Sequence, residues 1–205
     1  MTLRLLCLLF LMPSPGAATC VTAQDLATGI ACTRQDGRSG SAVAAGGLIE
    51  IDYAVTPDTA WQDFRRTSLG IYEMSWAFSP TDLPIVGGGP GGSYTYRFAG
   101  TPPVPTPGTA WTTTVRRVAS RDIGVQSGPV VTRHRYKVTY RLLDIAQATV
   151  SGCTYTILPV EAVREGGGAQ RWIYFPDLGF GIETSRSDGT EAARKLGLTA
   201  LQPQG

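Results

Sequence analysis

The sequence predicts a mainly β protein built on a curved antiparallel sheet, with a short helix near each end. About nine short runs of alternating apolar and polar residues follow one another along the chain. Gly and Pro stand at most of the joints between these runs. Parallel strands need long crossover connections, and no helical segment of that length separates the runs, so the strands are predicted to be antiparallel. An open or half barrel fits this pattern, and a sandwich is the alternative.

The first predicted elements are a short helix and a β-hairpin. Residues 22–29 carry the pattern of a capped helical segment that ends at a glycine. A strand-like run over residues 30–35 leads into Asp36-Gly37, a dipeptide that favours a tight hairpin turn. Residues 48–53 then alternate as a further strand.

The middle of the chain contains the clearest strand. Runs over residues 71–78, 93–99 and 110–119 precede it. In residues 131–143, apolar side chains on one face alternate with Arg, Lys and Thr on the other, so one face is predicted to be core and the other solvated. The apolar set is Tyr136, Val138, Tyr140 and Leu142.

The last third of the chain continues the β pattern. Residues 153–157 alternate as a strand, and Pro159 then indicates a sheet edge or a bulge, since proline cannot donate to a strand ladder. Two more strands are predicted over residues 171–175 and 180–184. A second short helix is predicted over residues 190–196, where a glycine ends it.

Residues 1–18 are predicted to be a cleaved export signal. A positively charged start is followed by an apolar run and by small residues that end at Ala18, which is the pattern of a secretory signal. The apolar run is shorter than the roughly 20 residues that a membrane-spanning helix needs. Residues 19–205 then have the length of a single β domain. The sequence therefore predicts a periplasmic or secreted protein.

The charge balance argues against nucleic acid as a partner. The chain has 18 Lys and Arg against 16 Asp and Glu, a formal net charge of +2. Such a balance gives no overall field that would attract a polyanion. The sequence also lacks a nucleophile elbow and clustered metal ligands. We therefore expect a protein without enzymatic activity, cofactor or metal.

Three cysteines follow residue 18, an odd number in a compartment where disulfides persist. The sequence predicts a Cys20–Cys153 disulfide that ties the start of the domain to a central strand. Cys32 would then be a buried thiol within a strand. A Cys20–Cys32 disulfide is the alternative. Lipidation of Cys20 is a third outcome, although the residues before it depart from the lipoprotein pattern.

Aromatic residues are the strongest indication of a binding site. Six of them lie on predicted strands, where a curved sheet would arrange them around a concave apolar pocket. Ordinary core packing is the alternative interpretation. The six are Trp111, Tyr136, Tyr140, Tyr155, Trp172 and Tyr174.

Four other features have structural explanations. Glycine-rich residues 87–92 precede a strand rather than a helix, so they predict a loop and not a dinucleotide site. Proline-rich residues 102–107 predict an extended surface spacer. His134 is the sole histidine, and its two arginine neighbours disfavour it as a general base. Glu50 and Asp52 share the polar face of one strand and are predicted to be solvated.

Short motifs near both ends of the domain resemble a known group of proteins. The motifs are DLATGI at residues 25–30, CTY at 153–155, LPV at 158–160 and YFPDLGFG at 174–181. They resemble segments of uncharacterised exported proteins of Gram-negative bacteria. More distantly, the strands around the last motif are similar to those of periplasmic half-barrels related to the lipoprotein carriers LolA and LolB. The resemblance implies a curved sheet whose concave face can hold acyl chains, and it assigns no functional residue.

The leading hypothesis is a non-enzymatic periplasmic protein that binds an apolar or amphipathic envelope ligand, such as a lipid or an acylated chain. The alternative is an envelope scaffold that docks a protein partner through the proline-rich segment or a sheet edge. A concave apolar cavity lined by several of the named aromatics would favour the first hypothesis.

Overall fold

A computed structural model of the chain describes residues 19–54, 61–80, 91–121, 128–187, 189 and 195–204. The predicted fold class is confirmed: the protein is mainly β, and its antiparallel sheet is nearly closed into a barrel. In the described part of the chain, no helix is both long enough and apolar enough to cross a bilayer. The predicted export signal lies outside the described residues.

The described residues form one 3-10 helix, Ala23–Ala27, and thirteen strands. The strands are β1 (Ile30–Arg34), β2 (Ser39–Ala45), β3 (Leu48–Ala54), β4 (Trp61–Ser68), β5 (Tyr72–Pro80), β6 (Gly92–Phe98), β7 (Ala110–Arg121), β8 (Val130–Leu142), β9 (Ala146–Val150), β10 (Cys153–Arg164), β11 (Ala169–Phe175), β12 (Phe180–Ser187) and β13 (Leu198–Pro203).

Strands that follow one another in the chain mostly pair in the sheet. The order across the sheet is β12-β11-β10-β8-β7-β6-β5-β4-β3-β2-β1-β13. Strand β9 lies outside this order and pairs with residues 153–157 of β10, whereas β8 pairs with residues 160–164. The one long-range pairing joins the first strand to the last, with Cys32 of β1 opposite Leu201 of β13. The described strands therefore form a wall that curls around the interior of the molecule.

Strands β10, β11 and β12 bury both of their faces. On β11, Trp172 and Tyr174 belong to one hydrophobic cluster, while Phe175 belongs to another. On β12, six consecutive residues, 180–185, are buried. Successive side chains of a strand point to opposite faces, so these three strands separate two cores and need no solvated face.

The two cores use different parts of the wall. The first core lies between β10–β12 and strands β1–β3, β9 and β13, and the second lies between strands β10 and β11 and strands β5–β8. Strand β10 contributes to both. Its Tyr155 and Ile157 pack in the first core, and its Leu158 and Val160 pack in the second.

Pro159 lies where β10 changes its neighbour. Residues 153–157 of β10 pair with β9, and residues 160–164 pair with β8. The Pro159 carbonyl accepts a hydrogen bond from the N–H of Leu143, just beyond the end of β8. At this junction no strand lies directly opposite on that side, so the missing proline N–H leaves no ladder bond unmade. The predicted edge or bulge is instead an interior junction.

The predicted Cys20–Cys153 disulfide is confirmed, and the alternative Cys20–Cys32 pairing is wrong. The N–H of Val21 donates to the Tyr155 hydroxyl at 2.9 Å, which holds the same segment against β10. Cys32 is a free, buried thiol in the first core. Burial raises the pKa of the Cys32 thiol to about 11, so it stays protonated and unreactive near neutral pH.

The ends of the domain differ in how well they were predicted. The N-terminal helix is present as the 3-10 helix, where the Thr22 N–H donates to the Asp25 carboxylate at 2.7 Å. Most of the predicted helix 190–196 lies outside the described residues, and residues 195–196 have no regular structure. Strands β2, β4, β9 and β13 were not predicted, which explains why about nine runs became thirteen strands.

The disulfide closes a loop between residues 133 positions apart, so its removal should enlarge the conformational freedom of the unfolded chain. We expect the double substitution Cys20→Ser, Cys153→Ser to lower the free energy of unfolding by about 2–5 kcal/mol. Urea unfolding followed by circular dichroism measures the difference. Cys32→Ala, which removes the free thiol, serves as the control and should cost about 1 kcal/mol. Equal losses of unfolding free energy in the two variants would contradict a stabilising Cys20–Cys153 disulfide.

Candidate ligand-binding cavity

A cavity of about 210 Å³ lies at one end of the second core, enclosed by strands β5–β8 and β10–β12 and partly open to solvent. Its wall is continuous, because β5 to β8 pair in order, β8 pairs with β10, and β11 and β12 follow. Strand β12 then returns to contact β4 and β5 through ion pairs. These strands form a small barrel within the larger wall.

Aromatic side chains form one side of the cavity. Trp76 of β5 and Tyr94 of β6 are directly opposite in register, and their rings stack at 4.9 Å between centroids. Tyr96 and Phe98 follow on the same face of β6 and also line the cavity. Because successive side chains on a strand alternate, β6 presents an unbroken aromatic row to the interior.

Three of the six predicted aromatic residues line this cavity: Tyr136, Tyr140 and Trp172. They come from β8 and β11, on the side opposite the β6 row. The ring centroids of Tyr140 and Trp172 are 6.1 Å apart, so these two residues are neighbours in the cavity wall. The alternation seen in the sequence of β8 places Tyr136 and Tyr140 on this face.

The other three predicted aromatics lie elsewhere. Trp111 stacks on Tyr140 at 5.7 Å and packs in the second core without lining the cavity. Tyr174 is buried in the same core and does not line the cavity either. Tyr155 packs in the first core, on the other side of β10, where its hydroxyl accepts the Val21 hydrogen bond.

Two arginines that also line the cavity have no carboxylate partner among the described residues. The guanidinium of Arg117 lies 5.3 Å from the Tyr94 ring centroid, and its Nε is buried without a hydrogen-bond partner in the described part of the chain. The guanidinium of Arg164 lies 5.5 Å from the Tyr136 ring centroid, and its Nε donates to the Gly167 carbonyl at 2.8 Å. Guanidiniums over aromatic faces are held by cation–π attraction and keep further N–H donors for a ligand.

A charge network of Arg65, Glu73, Glu183 and Arg186 closes the barrel on its remaining side. Arg65 donates to Glu183 at 2.8 Å and to Glu73 at 3.1 Å. Arg186 donates to Glu183 at 2.8 Å and also to Glu73. Asp63 accepts two further bonds from Arg65, at 2.7 and 2.6 Å. Glu73 and Arg186 line the cavity, so the network is part of its wall.

The backbone beside the network makes an unusually close contact. The N–H of Gly181 in β12 donates to the Leu69 carbonyl, in the turn between β4 and β5, at 2.9 Å. A Cβ at Gly70 would lie 2.1 Å from the Gly181 carbonyl oxygen, and Gly70 also has a φ of +72°. Only glycine fits at this position, both for space and for backbone conformation.

The network keeps its charges. Burial raises the pKa of the Glu183 carboxyl, but the Arg186 and Arg65 guanidiniums outweigh burial and lower this pKa to about 2. Burial also acts to lower the pKa of Arg65, and the neighbouring carboxylates of Glu183, Asp63 and Glu73 raise it well above its ordinary value. Both groups are therefore ionised at neutral pH, and their desolvation is compensated by these bonds.

The cavity tyrosines stay neutral. Burial is the largest cause that raises the pKa of Tyr96, Tyr136 and Tyr140 above its ordinary value. Their hydroxyls therefore remain protonated near neutral pH, when they can donate or accept hydrogen bonds but cannot act as phenolate bases. The groups around the cavity are thus suited to holding a ligand through apolar contact and N–H or O–H donation.

The remaining sequence candidates lie apart from the cavity. His134 is exposed on β8, opposite Arg117 in the strand register. Glu50 forms an ion pair with Arg66 at 3.2 Å, and Asp52 is half-buried. Of the glycine-rich residues 87–92, only the last two are described. Among the described residues, no group of three or more His, Cys, Asp or Glu side chains is placed to hold a metal ion.

The proline-rich segment forms an irregular connection between β6 and β7. Val104 is 68% exposed, whereas Pro105 is buried. The Gly108 N–H donates to the Leu143 carbonyl, and the Leu142 N–H donates to the Thr109 carbonyl. The end of this segment is therefore held against the end of β8.

Several cavity residues were not identified from the sequence. Tyr94 and Tyr96 alternate with polar residues on β6, so the same pattern that identified Tyr136 could have found them. No such pattern identifies Arg117 and Glu183. Charged residues at those positions are predicted to be solvated unless the strand order is known.

Comparison with protein-family models, with curated proteins and with solved structures finds no match to this chain.

The charge network predicts a pH-dependent stability. The pKa of Glu183 is lowered in the folded state, so its contribution is fully present above the ordinary pKa of 4.5 and is lost as the pH falls toward about 2. Glu183→Gln should lower the free energy of unfolding by about 3 kcal/mol at pH 7, because it removes a buried carboxylate that two arginines share and leaves Glu73 to pair with both. Denaturant unfolding across this pH range should show the difference between wild type and variant shrinking in acid.

A matched control is Glu161→Gln, which removes the ion pair with Arg171 at 2.7 Å, where both side chains are partly exposed. An exposed pair contributes at most about 1 kcal/mol. Two results would show that the network does not stabilise the fold as described. One is an equal loss of unfolding free energy at pH 7 in the Glu183 and Glu161 variants. The other is a stability difference between wild type and Glu183→Gln that does not change with pH.

Proposed function

We propose that the protein binds an amphipathic ligand with an anionic group, inserting its apolar chain into the aromatic cavity. The observation that carries this proposal is Arg117, whose buried Nε has no hydrogen-bond partner in the described chain, beside an aromatic row. An unpaired buried donor is costly, and an anionic ligand atom within reach would satisfy it. Lipids and acylated molecules have this combination of groups.

The cavity walls suit the apolar part of such a ligand. Trp76, Tyr94 and Phe98 on one side and Tyr140 and Trp172 on the other are mostly hydrophobic surface. Each buried CH₂ group of an acyl chain would add about 0.8 kcal/mol of transfer free energy. The aromatic rings are rigid, so little side-chain entropy is lost when a chain binds between them.

The cavity volume limits the ligand. Pockets for drug-sized molecules usually measure about 300–1,000 Å³, and this cavity measures about 210 Å³. It therefore suits one short acyl chain, or the end of a longer one, better than a whole multi-chain lipid. Arg117 and Arg164 both line it, where an anionic group on that chain would meet them.

We place this activity in the bacterial periplasm, without enzymatic turnover. The export-signal pattern at residues 1–18 and the use of a disulfide support an oxidising compartment. The resemblance to LolA-like and LolB-like half-barrels supports an acyl ligand. The cavity groups support binding, since its tyrosines are neutral and its arginines are poor bases.

The test compares two probes of equal chain length, decanoate and decanol, by titration of the intrinsic tryptophan fluorescence. Trp76 and Trp172 line the cavity and report on its occupancy. Arg117→Gln should weaken decanoate binding by about 10- to 100-fold, the value of a charge-assisted hydrogen bond. Decanol binding should be unchanged, because the alcohol makes no ionic contact.

Two controls complete the experiment. Arg66→Gln removes an arginine that pairs with Glu50 and does not line the cavity, so it should leave both affinities unchanged. Val138→Phe fills the cavity from β8 and should abolish binding of both probes. Thermal unfolding verifies that each variant is folded. Equal decanoate affinity in wild type and Arg117→Gln would overturn the proposal.

A further inference from the structure

The outer face of β6, β7 and β8 carries a row of three arginines in register. Arg97 of β6 lies opposite Arg116 of β7, and Arg116 lies opposite Arg135 of β8. All three side chains are exposed. Neighbouring strands are about 4.8 Å apart, so three positive charges lie side by side on the outer face of the sheet.

Further basic residues surround this row. Arg133, Lys137 and Arg141 are exposed on the same face of β8. Strands β6, β7 and β8 contain no Asp or Glu. None of the ion pairs found among the described residues involves the arginines of the row or these three neighbours. Within the described part of the chain the face is therefore cationic and uncompensated, although the whole chain is nearly neutral.

Stability does not explain this arrangement. Like charges directly opposite on neighbouring strands are destabilising, and a solvated sheet face is equally well served by alternating signs. Elsewhere in the molecule the exposed Arg66 is paired with Glu50. The absence of carboxylates from three consecutive strands points to an anionic partner that supplies the missing charge.

The far end of the β7–β8 hairpin adds apolar surface to this face. Val131 points outward near the start of β8 and is 45% exposed, and Val118, opposite Arg133, is half-buried on the same face. Among the described residues, β10 pairs with β8 only through residues 138–142, so residues 130–136 of β8 have no strand partner on that side. Exposed apolar side chains beside a basic face are the combination that binds the headgroup region of an anionic bilayer.

A membrane fits this face better than a single-stranded nucleic acid does. Proteins that hold single strands stack the bases on aromatic side chains, and the outward positions of β6, β7 and β8 carry none. Those outward positions are occupied by Ser, Thr, Ala, Val, Arg and Lys.

We propose that the outer face of β6–β8 docks the protein on a membrane surface rich in anionic phospholipid, with Arg97, Arg116 and Arg135 at the centre of the contact. The inner face of the same three strands carries Tyr94, Tyr96 and Arg117 of the cavity. The docking surface is separate from the cavity, so the two proposals can fail independently.

The test is co-sedimentation with vesicles of phosphatidylcholine containing about 30 mol% phosphatidylglycerol, against vesicles of phosphatidylcholine alone. The wild-type protein should bind only the anionic vesicles, and binding should weaken as salt is raised from about 0.1 to 0.5 M. The triple substitution Arg97→Gln, Arg116→Gln, Arg135→Gln should reduce the partition coefficient about 100-fold, since each basic residue near such a surface contributes about fivefold.

The matched control removes the same charge elsewhere: Arg38→Gln, Arg66→Gln, Lys195→Gln, three exposed residues outside this face. Its vesicle binding should change by less than about threefold. The melting temperature of the arginine-row variant should be equal to or above that of wild type, because repulsion is removed.

Three results would overturn the proposal. The first is wild-type protein that does not sediment with anionic vesicles, and the second is equal loss of binding in the row variant and the control variant. The third is binding to a double-stranded oligonucleotide at the same ionic strength that is tighter than binding to the vesicles and is lost in the row variant. That last result would assign the face to nucleic acid.

Discussion

The barrel around the cavity depends on one buried interaction, the contact of Arg65 with Glu183. Strand β12 is the end of the sheet, and ladder hydrogen bonds hold it on one side only, through β11. On its other side the contacts with β4 and β5 are mainly side-chain bonds within the charge network. Paired buried charges have strict geometry, so the network also determines where β12 meets the opposite wall. Glu73 and Arg186 of the network line the cavity together with Trp172 of β11.

The parts of the fold that were predictable are those with one buried face. Strand β8 alternates over residues 136–142, where its buried side follows from the sequence, whereas residues 130–135 are exposed on both faces. Strand β2 was missed because Gly, Ser and Ala dominate it and give no apolar alternation. Strand β4 was missed because its buried positions include Arg65 and Thr67, which read as polar. Burial of a charged side chain becomes predictable only once its partner from a distant strand is known.

Prediction of the candidate site is limited in the same way, because contacts between distant strands decide which residues line it. The alternation on β8 predicts that Tyr136 and Tyr140 share the core face, and both residues line the cavity together with Trp172 of β11. Tyr155 alternates equally well, yet it faces the first core, because β10 lies between two cores and each of its faces is buried. Which core a given face meets depends on strand order, and strand order is not encoded in local periodicity. Arg117 became a site residue only when β7 was placed between β6 and β8.

The pairing of β1 with β13 has a consequence for how the chain acquires its structure. The two strands are separated by nearly the full length of the domain, so β1 keeps an unpaired edge until the last residues are available. Long-range strand pairings of this kind fold slowly, because a large loop must close before the contacts form. A chain released from its N-terminus first would therefore stay incompletely folded, with β1 open to wrong partners, until its final strand emerges. The disulfide at Cys20 fastens this late-closing region through a covalent bond to β10.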